Sequence, residues 1–255
     1  MSAEPQATPA DARPADGASA DSPLLLLFDI DGTLLRGATD AHRDAVHEAL
    51  RDVYGVADPG AAHVAPAGRT DREIARQILL GSGVSAQRID EGMDDFRQRC
   101  AQHYARLCPS TLAQFVIDGV PELLEHLSDQ RDVRLSLVTG NLEPIARLKL
   151  ARAGIGSHFP HGQGGFGSDA EDRSDLPAVA RTRAGHAGAP HPRERTLVIG
   201  DTPRDIACAH ADGVGVLAVA TGPYRADQLT AADAVARDTG ELAGLIEARA
   251  QLRVG

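Results

Sequence analysis

A chain of 255 residues, 42% of them hydrophobic, carries enough apolar material for one large domain or for a core domain with a smaller insert. Its formal net charge of −10 argues against nucleic acid or an anionic membrane surface as a partner, whereas an anionic small molecule stays open because a divalent cation reverses the field locally. The three cysteines, Cys100, Cys108 and Cys208, are odd in number and lack CxxC spacing, so they read as free thiols in a reducing compartment.

Residues 1–22 are rich in Ala, Pro, Asp and Ser, the composition of a disordered tail, and lack the basic start and apolar middle of a signal peptide. No later stretch is long enough to span a bilayer, so a cytoplasmic protein without a membrane partner is expected. Leu24 to Leu35 then reads LLLLFDIDGTLL. The apolar run has the length of a buried parallel strand, and it ends in two acids, Asp29 and Asp31, with Gly32 and Thr33 supplying a tight turn. Open α/β sheets place their ligands at such strand ends. Two neighbouring buried acids repel one another, and a metal ion between them is the usual relief.

Over 41–54, Ala45, Val46, Ala49, Leu50 and Val53 recur at helical spacing, until Pro59, Gly60 and Pro66 break the pattern. Residues 71–80 and 90–107 are also helical in pattern. An all-helical insert over 39–109 is expected, between core segments 23–38 and 110–255. Within it, Gly68, Arg69, Thr70 and Asp71 have two readings: a turn in which Thr70 or Asp71 caps the next helix, or a loop offering Arg69 to an anion.

A helix is predicted over 119–130, with Pro121 in its first turn, and VRLSLV over 133–138 is a second strand stopping at Thr139, Gly140 and Asn141. The helix over 142–153 carries Lys149, the only lysine in the chain. A glycine-rich stretch, 162–168, leads to Asp169, Glu171, Asp172 and Arg173 and to a helix over 175–184; residues 185–195 read as a surface connection. His158, His161, His186 and His191 lie in loops without metal-ligand spacing and read as solvated. A third strand over 196–199 ends in Gly200, Asp201, Thr202, Pro203, Arg204 and Asp205. A helix over 205–211, strands over 215–219 and 234–236, and a closing helix over 241–252 complete the chain. Strands alternating with helices imply an α/β fold: a Rossmann-like parallel sheet covered by helices on both faces, plus the small all-helical insert.

FDIDGTL, VTGN and IGDTPRD, in that order, resemble the three motifs of the haloacid dehalogenase superfamily over nearly the whole folded chain. The resemblance implies that Asp29 is a nucleophile forming an aspartyl-phosphate and that Asp31 is the general acid and base. It further implies that Asp29, the Asp31 carbonyl and Asp201 ligate Mg²⁺, with Asp205 holding a metal-bound water or orienting Asp201. Thr139, with the amides of Gly140 and Asn141, would bind a phosphoryl oxygen. As simpler alternatives, Thr139 and Asp205 are helix caps.

One element departs from the pattern: the family places a Lys or Arg, often followed by Pro, at a helix start between the second and third motifs. Arg173 stands at about that place, and Lys149 is the rival; otherwise Arg173 partners Glu171 or Asp172 and Lys149 sits on a solvated helix face. The insert resembles the cap of the branch that includes phosphoglycolate phosphatase and β-phosphoglucomutase. Asp31 speaks against a dehalogenase, which has no leaving group to protonate. A phosphatase of a small phosphorylated metabolite is the expectation, with a phosphomutase or a catalytically idle binding protein of the same fold as alternatives.

Overall fold

The computed structural model describes residues 22–251, so the expected tail, apart from Ser22, and the last residue of the expected closing helix lie outside the described residues. Among the described residues six strands form one parallel sheet: β1 (Leu24–Phe28), β2 (Val133–Thr139), β3 (Gly165–Phe166), β4 (Thr196–Gly200), β5 (Gly215–Val219) and β6 (Ala234–Ala236). Their order is β3-β2-β1-β4-β5-β6. The chain winds outward from β1 to β3, then returns to the other side of β1 with β4. That reversal puts a crevice at the carboxyl end of β1, where Asp29 donates its amide to the Ile199 carbonyl at 2.9 Å.

Every side chain of β1 is buried, because both faces of the sheet are covered. Leu24, Leu26 and Phe28 join one apolar cluster, while Leu25 and Leu27 join another with Leu176, Ala180, Ile206 and Ala209. The second face is thus formed by α6 (Leu176–Ala184) and α7 (Pro203–Asp212). The first is covered by α4 (Val120–Ser128), α5 (Glu143–Ala153) and α8 (Thr239–Gln251).

Between β1 and α4 the long helices are α1 (Asp40–Tyr54), α2 (Asp71–Gly81) and α3 (Ala86–Leu107). Of the α1 stripe foreseen from spacing, Ala45, Val46, Ala49 and Leu50 are buried and Val53 is half-buried, with α3 packed against the helix, and His42 lies on the stripe too. Thr70 caps α2 by accepting from the Glu73 amide at 3.0 Å, which settles the choice between Thr70 and Asp71. Helix α3 starts before the expected residue 90 because Ser85 accepts from the Arg88 amide and caps it.

Two expectations need correction. The glycine-rich stretch holds β3, whose two residues pair with Val138 and Thr139 at the sheet edge. His191 is not solvated: it is buried, with Nε2 3.2 Å from the Arg195 carbonyl and its own amide donating to Arg181, and burial pushes its imidazole below the ordinary value. The surface connection is therefore pinned at one point, beside the buried pair in which Arg181 meets Asp212 at 2.6 and 2.8 Å. His158 is half-buried against the Ser128 hydroxyl, and His161 and His186 are exposed as expected. All three cysteines are buried and free. Among the described residues no helix is long and apolar enough to cross a membrane.

Candidate active site

Asp29, just past β1, has its Oδ1 3.0 Å from Nη2 of Arg173. The same nitrogen donates to Oδ1 of Asp205 at 2.5 Å and to the Val138 carbonyl at 3.5 Å. Arg173 opens a 3-10 turn (Arg173–Asp175) between β3 and α6, so the sheet edge carries it to the crevice. It does not partner its sequence neighbours: Asp172 accepts from the Ser174 amide, and Glu171 accepts from Arg76 at 2.6 Å.

Asp205 is not the N-cap of α7. Thr202 holds that place, and Asp205 closes a capping box by accepting from the Thr202 amide and hydroxyl at 2.9 and 2.7 Å. Asp201 ends β4, with Oδ1 receiving the Thr33 hydroxyl at 3.3 Å and Oδ2 buried without a hydrogen bond. The backbone closes on that orphan oxygen at two glycines: a Cβ on Gly32 (φ +94°) would lie 2.1 Å from it and one on Gly222 1.6 Å.

Asp29, Asp201 and Asp205 offer carboxylate oxygens that all lie within 4.8 Å of one another. Burial, then repulsion from Asp205 and Asp31 against the pull of Arg173, raises Asp29 to about 7. Burial, then repulsion from Asp29 and Asp205, raises Asp201 to about 8. A cluster of hard oxygen donors with one orphaned lone-pair-bearing atom fits a divalent cation. Both Asp205 oxygens already have partners, which suits it to an orienting role.

Asp31 goes the other way. Its carboxylate accepts from Lys149 Nζ at 2.8 and 2.6 Å and from the Asn141 side-chain Nδ2 at 2.8 Å. Desolvation pushes Asp31 up, yet the Lys149 ammonium, then His42 and the hydrogen bonds from Lys149 and Asn141, outweigh it and hold the group below the ordinary carboxylate value. Lys149 is 0% exposed, which corrects the solvated-face alternative. Its third contact is Nδ1 of His42 at 3.2 Å. Lysine has no lone pair to accept with, so Nδ1 accepts and Nε2 is left to donate to Asp71, 3.1 Å away. Asp71 also receives the Leu142 amide at 2.7 Å, and its own amide donates to the Gly140 carbonyl at 2.8 Å. A buried polar chain therefore runs from Asp31 through Lys149 into the insert at His42 and Asp71, and back to the turn after β2.

In that turn Thr139 is buried and accepts from Asn141 at its amide (3.3 Å) and its side chain (2.9 Å). It is not a helix cap, because α5 begins after Leu142. Gly140 lets the insert approach: a Cβ there would meet the Arg69 carbonyl at 1.9 Å. Arg69 lines the crevice, but its guanidinium is ion-paired with Glu73 and donates to the Ala65 carbonyl at 3.0 Å.

A cavity of about 720 Å³ stands over these groups, with Asp29, Asp31, Arg173 and Asp201 at its base and residues of α1, α2 and the segment between them as its roof. The profile of haloacid dehalogenase-like hydrolases matches residues 26–210, from the middle of β1 into α7. The chain belongs to that family. Among hydrolases and their relatives, it is 31% identical over 209 residues to phosphoglycolate phosphatase from Rhodospirillum rubrum, covering 80% of this chain and 82% of that one. It is also 31% identical over 212 residues to the tyrosine-protein kinase PtkA from Mycobacterium tuberculosis, covering 81% of this chain but spanning only 65% of PtkA. In fold, the chain is similar to CbbY from Rhodobacter sphaeroides in complex with phosphate, with a TM-score of 0.59, 17% identity and coverage of 86% and 96%.

Of the two cations weighed from the sequence, Arg173 lines the crevice at Asp29 and Lys149 lies buried behind it at Asp31. His42 and Asp71 went unforeseen as site residues, although His42 falls in the apolar stripe of α1, three residues before Ala45 and four before Val46.

Proposed function

We propose that this hydrolase removes phosphate from a small phosphorylated metabolite, with Mg²⁺ as cofactor and an aspartyl-phosphate on Asp29 as intermediate. The observation that carries it is the separate tethering of the two acids after β1, Asp29 by Arg173 and Asp31 by Lys149 with Asn141. An oxygen of Asp29 attacks phosphorus, the bond to the alcohol oxygen breaks, and Asp31 hands over the proton that the alcohol takes. Water then attacks the same phosphorus, its proton passes to Asp31, and the Asp29 carboxylate is restored. Asp31 regains its proton from the water of the second step, while the Lys149 ammonium, 2.6 Å away, holds the carboxylate in place from its far side.

Arg173 offsets charge on Asp29 and on the transferring group, while Thr139, Gly140 and Asn141 shape the turn that receives phosphoryl oxygens. Asp29, Asp201 and the Asp31 carbonyl, with Asp205 behind them, would hold Mg²⁺, which when bound neutralises the crowded carboxylates and the phosphoryl oxygens. Residues 39–109 act as a cap domain that keeps bulk water out during transfer. Three reduced cysteines support a cytoplasmic setting.

Purified protein with Mg²⁺ is expected to release phosphate from p-nitrophenyl phosphate, and EDTA to stop it; no release with Mg²⁺ present overturns the proposal. Mg²⁺ should also raise Tm, and by more at pH 8 than at pH 6. With Asp29 raised to about 7 and Asp201 to about 8, protons occupy the ligand oxygens at pH 6 and compete with the metal. An increment independent of pH would remove these two acids from the metal site.

A second reading, transfer of phosphate to tyrosine, is favoured by the similarity to PtkA. It predicts phosphotyrosine formed from ATP, with little free phosphate, in the same Mg²⁺ buffer.

A further inference from the structure

The cavity roof is unlike a sugar-binding surface. Leu35, Val46, Ala62, Val64, Ile74 and Ile78 supply its apolar wall. Its polar side chains are mostly committed to one another. His42 is held by Lys149 and Asp71, Asp71 by the Leu142 amide, Arg69 by Glu73, and Arg43 by Asp40 and Asp44. Arg36, Thr39 and His63 are exposed at the rim. Half-buried His47 lines the wall, and burial, then the charges of Arg51 and Arg43, push its imidazole below the ordinary value. A polyhydroxylated group seated against the apolar wall would lose water and find partners only at the rim and at His47, a desolvation that opposes binding, while an apolar group gains from the same burial.

We infer that the leaving group is predominantly apolar, so that the substrate class is a phosphate monoester of an aromatic or alkyl alcohol. This rests on the hydrolase acting on phosphate esters, as proposed above. The phosphoryl group lies at Asp29 and Arg173, and the alcohol's carbon skeleton extends upward past Leu35 to Val46 and Ile74. At about 720 Å³ the cavity holds a ring-sized group with room for water.

Two measurements on the full chain with Mg²⁺ test the inference. Calorimetric titration with methylphosphonate and benzylphosphonate reads the apolar contribution without turnover, and benzylphosphonate is expected to bind at least about tenfold tighter. Steady-state hydrolysis of benzyl phosphate and glucose 6-phosphate, both esters of primary alcohols, is expected to favour benzyl phosphate by at least about tenfold in kcat/KM. Ile74→Asn, at a half-buried position, should shrink both ratios. Equal affinity for the two phosphonates, or a preference for glucose 6-phosphate, overturns the inference and leaves the hydrolase standing. Selective benzylphosphonate binding with no ester cleaved supports the apolar site and instead overturns the phosphatase reading.

Discussion

Asp29→Asn is expected to stop turnover, by at least about 10³-fold in kcat, while the metal-free protein stays folded and gains stability at pH 8. The amide has nearly the shape of the carboxylate but no charged oxygen to attack phosphorus. Its effect on the fold follows from where Asp29 sits: burial and repulsion from Asp205 and Asp31 raise the carboxyl to about 7 despite Arg173. A carboxyl with a folded value above its unfolded value binds more protons when folded, so stability falls as pH rises from about 4 toward that value. Asparagine removes the dependence, and its carbonyl oxygen still accepts from Arg173. Urea unfolding in EDTA at pH 6 and pH 8, together with steady-state kinetics, checks both halves. A variant as active as the parent would move the nucleophile elsewhere.

Lys149→Met should damage both fold and rate. Methionine fills the buried methylene track but leaves Asp31 without its ammonium and His42 Nδ1 without its donor, so a loss of about 3 kcal/mol is expected. The rate should fall by about 10²-fold or more, because Asp31 loses the two hydrogen bonds from Lys149 that hold its carboxylate in place. The sign is fixed by the lowered value of Asp31, which desolvation resists and Lys149 imposes. A depressed carboxylate stabilises the fold above its ordinary value and ceases to do so as pH falls through its folded value. The stability gap between parent and variant should therefore narrow as pH drops below about 4. A gap that is constant with pH would mean that Lys149 contributes through packing alone. Arg173→Ala is a useful contrast, since it leaves Asp29 and Asp205 facing each other and its defect should be relieved in part by Mg²⁺.

Where local sequence dictates structure, the sequence was legible. Four leucines and a phenylalanine running into Asp29 mark a doubly buried strand, and the matching endings at Thr139 and Asp201 follow the same strand, turn and helix grammar. Strand β3 escaped because it is two residues long, and its glycines carry no apolar signal. The polar chain beneath the roof escaped for another reason: its partners are far apart in sequence, with Lys149 separated from Asp31 by 118 positions and from His42 by 107. One signal was available. Lys149 lies on the same face as Ile145, Ala146, Leu150 and Ala153, as His42 does with Ala45 and Val46. A polar residue in an apolar helical stripe needs a buried partner, and each of these is the other's.

That shared partnership has a kinetic side. The roof of the cavity cannot swing away while His42 remains on Lys149 and Asp71 on the Leu142 amide. Those bonds end on the helix and turn that position Asp31, so parting them would expose the buried Lys149 and loosen its hold on Asp31 in the same movement. Any opening of the roof is thereby coupled to the hold on Asp31.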